Sequence, residues 1–85
     1  MIRYTLRWTT DAEDQLAGIW MKAADRPDVN DAQQRIDAEL EFDAHRKGDE
    51  VAEGLRQLTI PPLRAYFEID EDGRQVQVTA VARIG

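Results

Sequence analysis

Two alternating runs in the last third of the chain constrain its fold more than any other feature. Apolar side chains occupy every second position of both runs: Leu63, Ala65, Phe67, Ile69, Val76, Val78, Ala80, Ala82 and Ile84. A period of two is typical of a strand with one buried face and one wet face. Asp72 and Gly73 lie between the runs, and Asp-Gly favours a tight hairpin because both residues can adopt positive φ. The sequence therefore predicts that the chain ends in a β-hairpin.

Two further strands are predicted earlier in the chain. Residues 2–8 alternate strictly and indicate a half-buried strand, whose inward positions are Ile2, Tyr4, Leu6 and Trp8. Residues 55–60 form the other strand, although Leu55 and Leu58 fall on its opposite faces. Pro61-Pro62 ends this strand because proline cannot donate to a sheet ladder. The chain thus has four predicted strands.

A first helix is predicted directly after the opening strand. Thr10 and Glu13 have the spacing of a capping box, in which the threonine accepts from the first turn and the glutamate reaches back. The helix is expected to run from about Asp11 to about Ala24, because apolar residues recur there at helical spacing: Ala12, Leu16, Ile19, Trp20 and Ala23. Both Trp8 and Trp20 are expected in the core between this helix and the sheet.

A second helix is predicted after a short break. Asp25-Arg26-Pro27 ends the first helix, and the second begins near Pro27 or Asp28 because a proline is tolerated in a first turn. Its narrow apolar stripe consists of Val29, Ala32, Ile36 and Leu40. A short connection between two apolar stripes predicts an antiparallel helical hairpin lying on a sheet. Residues 44–50 are expected to form a polar loop.

The order of these elements defines the expected fold class. It is a single α+β domain spanning residues 1–85, with the element order β-α-α-β-β-β. The helical hairpin should pack on one face of a mostly antiparallel four-stranded sheet.

Composition excludes several kinds of site. The chain has no cysteine, which removes disulfides and thiolate metal ligands. It has no Gly-rich phosphate loop, Cys/His cluster or H-E-x-x-H motif, so neither a metal nor a cofactor is expected. The N-terminus lacks the apolar stretch of a signal peptide, and no run approaches the ~20 apolar residues of a membrane span. A cytoplasmic protein with no membrane partner is therefore expected.

The charge is acidic and unevenly distributed. Seventeen acidic and eleven basic side chains give a net charge of −6, which argues against general affinity for nucleic acid. Residues 10–50 hold twelve of the acids and five of the bases. Every base outside that stretch is an arginine, and arginine favours bidentate contacts to carboxylate or phosphate.

The chain resembles the RelE/ParE toxin superfamily in the order and spacing of four loose motifs. These are W-T-x-x-A-E-x-x-L after the first strand, G-x-R-x-L at residues 54–58, P-L-R-x-x-F-x-I-D at residues 62–70 and V-x-V-x-x-V-x-R at residues 76–83. Members of that superfamily are small toxins of type II toxin–antitoxin (plasmid stabilisation) systems. RelE-like members cut messenger RNA on the ribosome, ParE-like members poison DNA gyrase, and an antitoxin segment neutralises both.

The resemblance implies a site and a set of partners. Arg64, Arg83 and Arg56 match the family's arginines and are the candidate catalytic residues, because mRNA cleavage needs the developing phosphate charge to be stabilised. The implied partners are a cognate antitoxin and either the ribosome with its mRNA or DNA gyrase. The wet sheet face is expected to carry Arg64 and Arg83 together with the candidate partner-binding residues Arg3, Arg7, Tyr66 and Thr79. The alternative is that exposed strand arginines pair with cross-strand acids such as Glu68.

Three functions remain open from the sequence. The first is a toxin component of a toxin–antitoxin system, with or without catalytic activity. The second is a non-enzymatic protein-binding module that has the same fold. The third is an active ribosome-dependent mRNA endoribonuclease that uses Arg64 and Arg83. The net charge of −6 and the presence of only two lysines disfavour the third, because electrostatic steering to a ribosome would be repulsive.

Overall fold

A computed structural model describes residues 1–84 and contains two α-helices and five strands. The elements are β1 (Thr5–Trp8), α1 (Thr10–Lys22), α2 (Arg26–Glu41), a 3₁₀ turn (Ala44–Arg46), β2 (Asp49–Ala52), β3 (Leu55–Ile60), β4 (Leu63–Asp70) and β5 (Gln75–Arg83). The sheet order is β1-β5-β4-β3-β2. β1 runs parallel to β5, and the other neighbours are antiparallel. Within residues 1–84, neither helix is long and apolar enough to cross a membrane.

The α+β class and the helical hairpin are confirmed, but the sheet has one strand more than expected. The extra strand, β2, occupies part of the segment predicted as a polar loop. It pairs antiparallel with β3 through a turn in which Gly54 adopts a φ of 79°. All four of its residues are exposed, so no apolar alternation marks it in the sequence. Backbone hydrogen bonds alone define this strand.

The core lies between the helical hairpin and one face of the sheet. Its largest fully buried side chains are Phe67, Ile36, Leu40, Leu63, Val29, Val76 and Val78. Trp8 and Leu16 are half-buried and pack against this cluster. Trp20 differs from expectation, since 39% of it is exposed. Its ring contacts the Arg26 guanidinium at the start of α2.

Helix α1 begins one residue earlier than the capping-box pattern predicts. Thr9 is the N-cap, and its hydroxyl accepts from the backbone N–H of Ala12 at 3.1 Å. The residue three positions after the cap is therefore an alanine, which cannot complete a capping box. At the other end, the Arg26 side chain donates to the carbonyls of Trp20 and Met21 and satisfies the last turn. α2 begins at Arg26, one residue before the predicted start at Pro27, and the proline lies in its first turn as the sequence predicts.

The β4–β5 turn is also longer than the Asp-Gly pattern predicts. Residues 71–74 connect Asp70 to its register partner Gln75. The positive φ falls on Arg74, at 51°, and not within the Asp72-Gly73 pair. The Gly73 N–H donates to the Asp70 carboxylate at 3.1 Å, which closes a wider turn through the aspartate side chain.

A β-bulge changes which side chains of β5 face the helices. Phe67 is in register with Val78, but the preceding residue of β4, Tyr66, is in register with Ala80. Thr79 is the additional residue. Because strand side chains alternate, one inserted residue moves every later side chain to the opposite face. Val81 is buried as a result, whereas Ala82 is exposed, which reverses the inward positions predicted for the end of this strand.

Candidate functional site

The outer face, meaning the side of the sheet opposite the helices, carries Arg64 and Tyr66 from the predicted site. Residues directly opposite each other on antiparallel strands share a face. Arg64 lies between Thr59 of β3 and Ala82 of β5, and Tyr66 lies between Gln57 and Ala80. The two alanines leave one side of the arginine and the tyrosine without a bulky neighbour. The outer face is thus most open beside Arg64 and Tyr66.

Arg64 is an arginine of this face whose guanidinium is oriented by a neighbouring side chain. Its Nε donates to the hydroxyl of Thr59 at 3.0 Å. Within residues 1–84 its terminal amino groups have no hydrogen-bond acceptor, and it forms no ion pair with a carboxylate. The expected alternative, a cross-strand pair with an acid, is therefore absent for this residue. The Thr59 hydroxyl orients the guanidinium and leaves its bidentate edge available.

Arg7 shares the outer face but lies far from Arg64. It is exposed on β1 and in register with Gln77, which is in turn opposite Glu68. Two strand spacings and four residues along the strands separate it from Arg64, which amounts to about 16 Å. Arg7 and Arg64 can contact one extended ligand but not one phosphate group.

Arg83 lies on the opposite face from Arg64, so the predicted common arginine surface is wrong at this position. Its register partner is the fully buried Leu63, because the bulge at Thr79 has reversed the alternation. The guanidinium forms a bidentate ion pair with Asp25, between α1 and α2, with both N–O distances at 2.8 Å. This pair lowers the pKa of Asp25, chiefly through the hydrogen bonds from Arg83, and raises the pKa of Arg83 itself.

The remaining predicted residues also lie apart from Arg64. Arg56 faces the helix side, in register with Phe67, and its guanidinium donates to the carbonyls of Lys47 and Gly48 at 2.9–3.0 Å. Arg3 lies before β1, where its guanidinium is 5.9 Å from the centre of the Phe42 ring.

Thr79, the bulge residue, uses its hydroxyl inside the sheet. It donates to the carbonyl of Tyr66 at 3.4 Å. It is therefore not a free surface donor beside Arg64.

Sequence reasoning missed the residues that decide where these arginines lie. Thr59 orients Arg64 because β3 pairs with β4 across the Pro61-Pro62 turn and places the two residues opposite each other. The sequence pattern indicates Asp25 only as part of a helix break, and no local pattern links it to a residue 58 positions later. The one available signal for the bulge is Val81, a large apolar residue at a position where strict alternation requires a polar one.

The outer face offers anion-binding chemistry of limited extent. A guanidinium with a free bidentate edge binds a phosphate or carboxylate through two parallel hydrogen bonds. Tyr66, the next outward residue on β4, adds a phenol to the same area. Among residues 1–84 there is no group of three or more His, Cys, Asp or Glu side chains that could hold a metal ion.

Comparisons with known proteins found similar chains among solved structures. No protein-family profile matches the sequence, and no curated protein matches it either. Among solved structures, the chain is similar to one from the chromosomal ParDE TA system of P. aeruginosa, at 23% identity, with a TM-score of 0.72 and complete coverage of both chains. It is similar to one from the RelBE2 toxin–antitoxin complex of Mycobacterium tuberculosis, at 22% identity, with a TM-score of 0.78 and coverage of 98% of this chain and 93% of that one.

A third similar structure is the isolated E. coli RelE toxin. Its identity is 14% and its TM-score 0.63, over 96% of this chain and 85% of that one. This chain has the RelE/ParE fold, which confirms the fold expected from the resemblance in its motifs.

Proposed function

We propose that this chain is the toxin component of a type II toxin–antitoxin system, of the kind that stabilises plasmids, and that a cognate antitoxin protein neutralises it. The observation that carries the proposal is the shared fold. Structures from the ParDE and RelBE2 systems match this chain over at least 98% of its length. The isolated RelE toxin has the same fold, so it is the toxin partner of such systems that this chain resembles.

The surface that acts on the target is, in this proposal, the outer face around Arg64. Its support is the free bidentate edge of that guanidinium and the small neighbours Ala80 and Ala82. Two targets fit an arginine with this access: mRNA on the ribosome, or DNA gyrase. Both contain or bind nucleic acid, whose phosphates are the natural ligands of such a group.

The geometry favours a toxin that does not rely on a pair of arginines for RNA cleavage. Arg64 and Arg83 lie on opposite faces, and Arg83 is engaged by Asp25. A cleavage site built from both would require Arg83 to leave this ion pair and move around the sheet edge. Arg64 is therefore the residue on which we expect activity to depend.

A second candidate function is a non-enzymatic protein-binding module with the same fold. It is favoured by the isolation of Arg64, since the next arginine of the outer face, Arg7, lies about 16 Å away. The net charge of −6 favours it as well, because it repels polyanionic targets.

Expression in a bacterial host distinguishes these functions. The proposed toxin, induced alone, should slow growth, and co-expression of the gene adjacent to it should restore growth. Primer extension on translated messages during induction then reports whether mRNA is cut. Normal growth at high soluble expression would contradict the toxin proposal and leave the binding module as the better account.

A further inference from the structure

A groove between α1 and α2 contains both tryptophans of the chain, Trp8 and Trp20. Its volume is about 590 Å³, which is in the range of sites for small molecules. Leu16 and Met21 add to its apolar lining. Ala17, three residues before Trp20 on the same face of α1, has a side chain too small to fill the space beside the ring. The groove therefore presents aromatic surface to a ligand that fits between the helices.

The charge around this groove is negative. Glu13 is a charged residue of the lining, and among residues 1–84 no lysine or arginine lines the groove. Residues 10–41, which include both helices, carry nine acidic and three basic side chains, so their net charge is −6. A cleft lined by one sign of charge concentrates ions of the opposite sign. The groove thus favours a cationic ligand over a neutral or an anionic one.

Asp37 is a half-buried carboxylate beside the groove that lacks a cationic partner. It accepts from the indole N–H of Trp8 at 2.7 Å and from the amide of Gln33, and both donors line the groove. Both are neutral, and within residues 1–84 the Asp37 carboxylate forms no ion pair. Burial raises the pKa of Asp37, so its negative charge is incompletely stabilised by the protein. A cation bound in the groove would offset part of that cost.

The ring of Trp20 already contacts one cation of the protein itself. The Arg26 guanidinium lies 4.3 Å from the centre of this ring, a distance at which the negative face of an indole attracts a positive charge. Hydrogen bonds to the carbonyls of Trp20 and Met21 hold Arg26 at the end of α1. Arg26 does not line the groove, so the part of the Trp20 surface that does line it remains open to a second cation.

The lining also selects the kind of cation. A primary ammonium such as that of lysine is strongly hydrated and needs acceptors for its three N–H groups. The groove offers few acceptors, because its walls are mostly aromatic and aliphatic and the Gln33 amide is engaged by Asp37. A quaternary ammonium has no N–H group to satisfy, and aromatic rings are its usual partners in proteins.

We propose that this groove binds a small organic cation in which a quaternary ammonium is joined to an apolar or aromatic body. The ammonium lies against the indoles of Trp8 and Trp20, within the field of Glu13 and Asp37, and the apolar body fills the space beside Ala17. This inference goes beyond the proposed function, because it uses neither Arg64 nor the outer face and holds whether or not the chain is toxic.

Titration of the intact protein with benzyltrimethylammonium tests the site. Tryptophan fluorescence reports on the groove specifically, because both tryptophans of the chain line it. We expect a saturable change in this fluorescence with a Kd of about 1 mM, which suits a ligand of this size. The ionic strength is held constant with NaCl throughout. The absence of a saturable change would overturn the inference.

Two comparison compounds test the chemistry of the ligand. Dimethyl benzyl carbinol has nearly the shape of benzyltrimethylammonium without its charge and should bind about fivefold more weakly or worse. N-acetyl-lysinamide carries a primary ammonium on an aliphatic chain and should also bind more weakly than the probe. Equal affinity for the carbinol would refute the role of charge. Equal or tighter binding of the lysine derivative would refute the preference for a quaternary ammonium and would indicate a protein side chain as the ligand.

Variants that keep both tryptophans locate the site. Glu13→Gln and Asp37→Asn should each weaken the binding of benzyltrimethylammonium by about threefold to tenfold, because each removes a negative charge beside the groove. Glu53→Gln is the matched control, since it makes the same change of charge at an exposed position between β2 and β3, and it should leave binding unchanged.

The uncharged carbinol separates charge from shape in the same variants. Its weaker binding should be the same in the wild type, Glu13→Gln and Asp37→Asn, because none of its contacts depends on those charges. Equal losses for the ammonium and the carbinol would show that the carboxylates act only on the shape of the groove and would contradict the inference. Equal binding of the ammonium to all four proteins would place its site elsewhere and refute the inference.

Discussion

Val81→Ala is the sharpest test of the reversed alternation in β5. Strict alternation places residue 81 on the wet face, whereas the bulge at Thr79 places its side chain in the core, where it is 5% exposed. The substitution removes two buried carbons, worth about 1.6 kcal/mol of transfer free energy. The cavity left behind raises the expected loss to about 2–2.5 kcal/mol. For a chain of this size that corresponds to a fall in Tm of roughly 10–15 °C.

Urea unfolding followed by tryptophan fluorescence measures this loss, and Ala82 provides the matched control. Ala82 is exposed on the outer face, so Ala82→Gln should change the free energy of unfolding by less than about 0.5 kcal/mol. If residue 82 faced the core instead, a glutamine there would be severely destabilising and Val81→Ala nearly neutral. That inverse pattern would refute the bulge and, with it, the placement of Arg83 on the helix side.

Three further substitutions test individual contacts. Burial raises the pKa of Asp37, so the charge of this carboxylate costs stability at neutral pH. In urea unfolding at pH 7, Asp37→Asn should therefore be at least as stable as the wild type. The difference in stability should shrink as the pH falls toward 3.8. Arg83 lowers the pKa of Asp25, so Asp25→Asn should lower Tm at pH 7, and this deficit should fade as pH falls below 3.8. Gly48 has a φ of 65°, and a Cβ there would collide with the carbonyl of Gln57. Gly48→Ala should therefore lower the free energy of unfolding by more than about 2 kcal/mol. An unchanged midpoint in urea would contradict that geometry.

Most of the architecture follows from periodicity, because apolar spacing records which faces are buried. The period-two runs of β1 and β4 and the helical stripe of α2 all match their buried positions. The strand β2 could not be found in this way, since Asp49, Glu50, Val51 and Ala52 bury nothing and pair only through the backbone.

The candidate site was harder to predict than the fold, because it depends on one inserted residue. Periodicity places Arg64 correctly, since no irregularity separates it from the rest of β4. It fails for Arg83, since the bulge at Thr79 reverses every later side chain. The prediction that Trp20 lies in the core fails for a different reason. Helical spacing identifies an apolar stripe but not how much of its width the sheet covers.

Growth of a bacterial host that expresses Arg64→Ala tests the central proposal most directly. The wild type and Arg64→Ala are induced to equal soluble levels, with Arg7→Ala as the control from the same face. We predict that the wild type and Arg7→Ala arrest growth, and that Arg64→Ala restores most of the growth rate while its Tm stays within a few degrees of the wild type. Arrest by Arg64→Ala that is as strong as arrest by the wild type would show that toxicity does not depend on this arginine and would contradict the account.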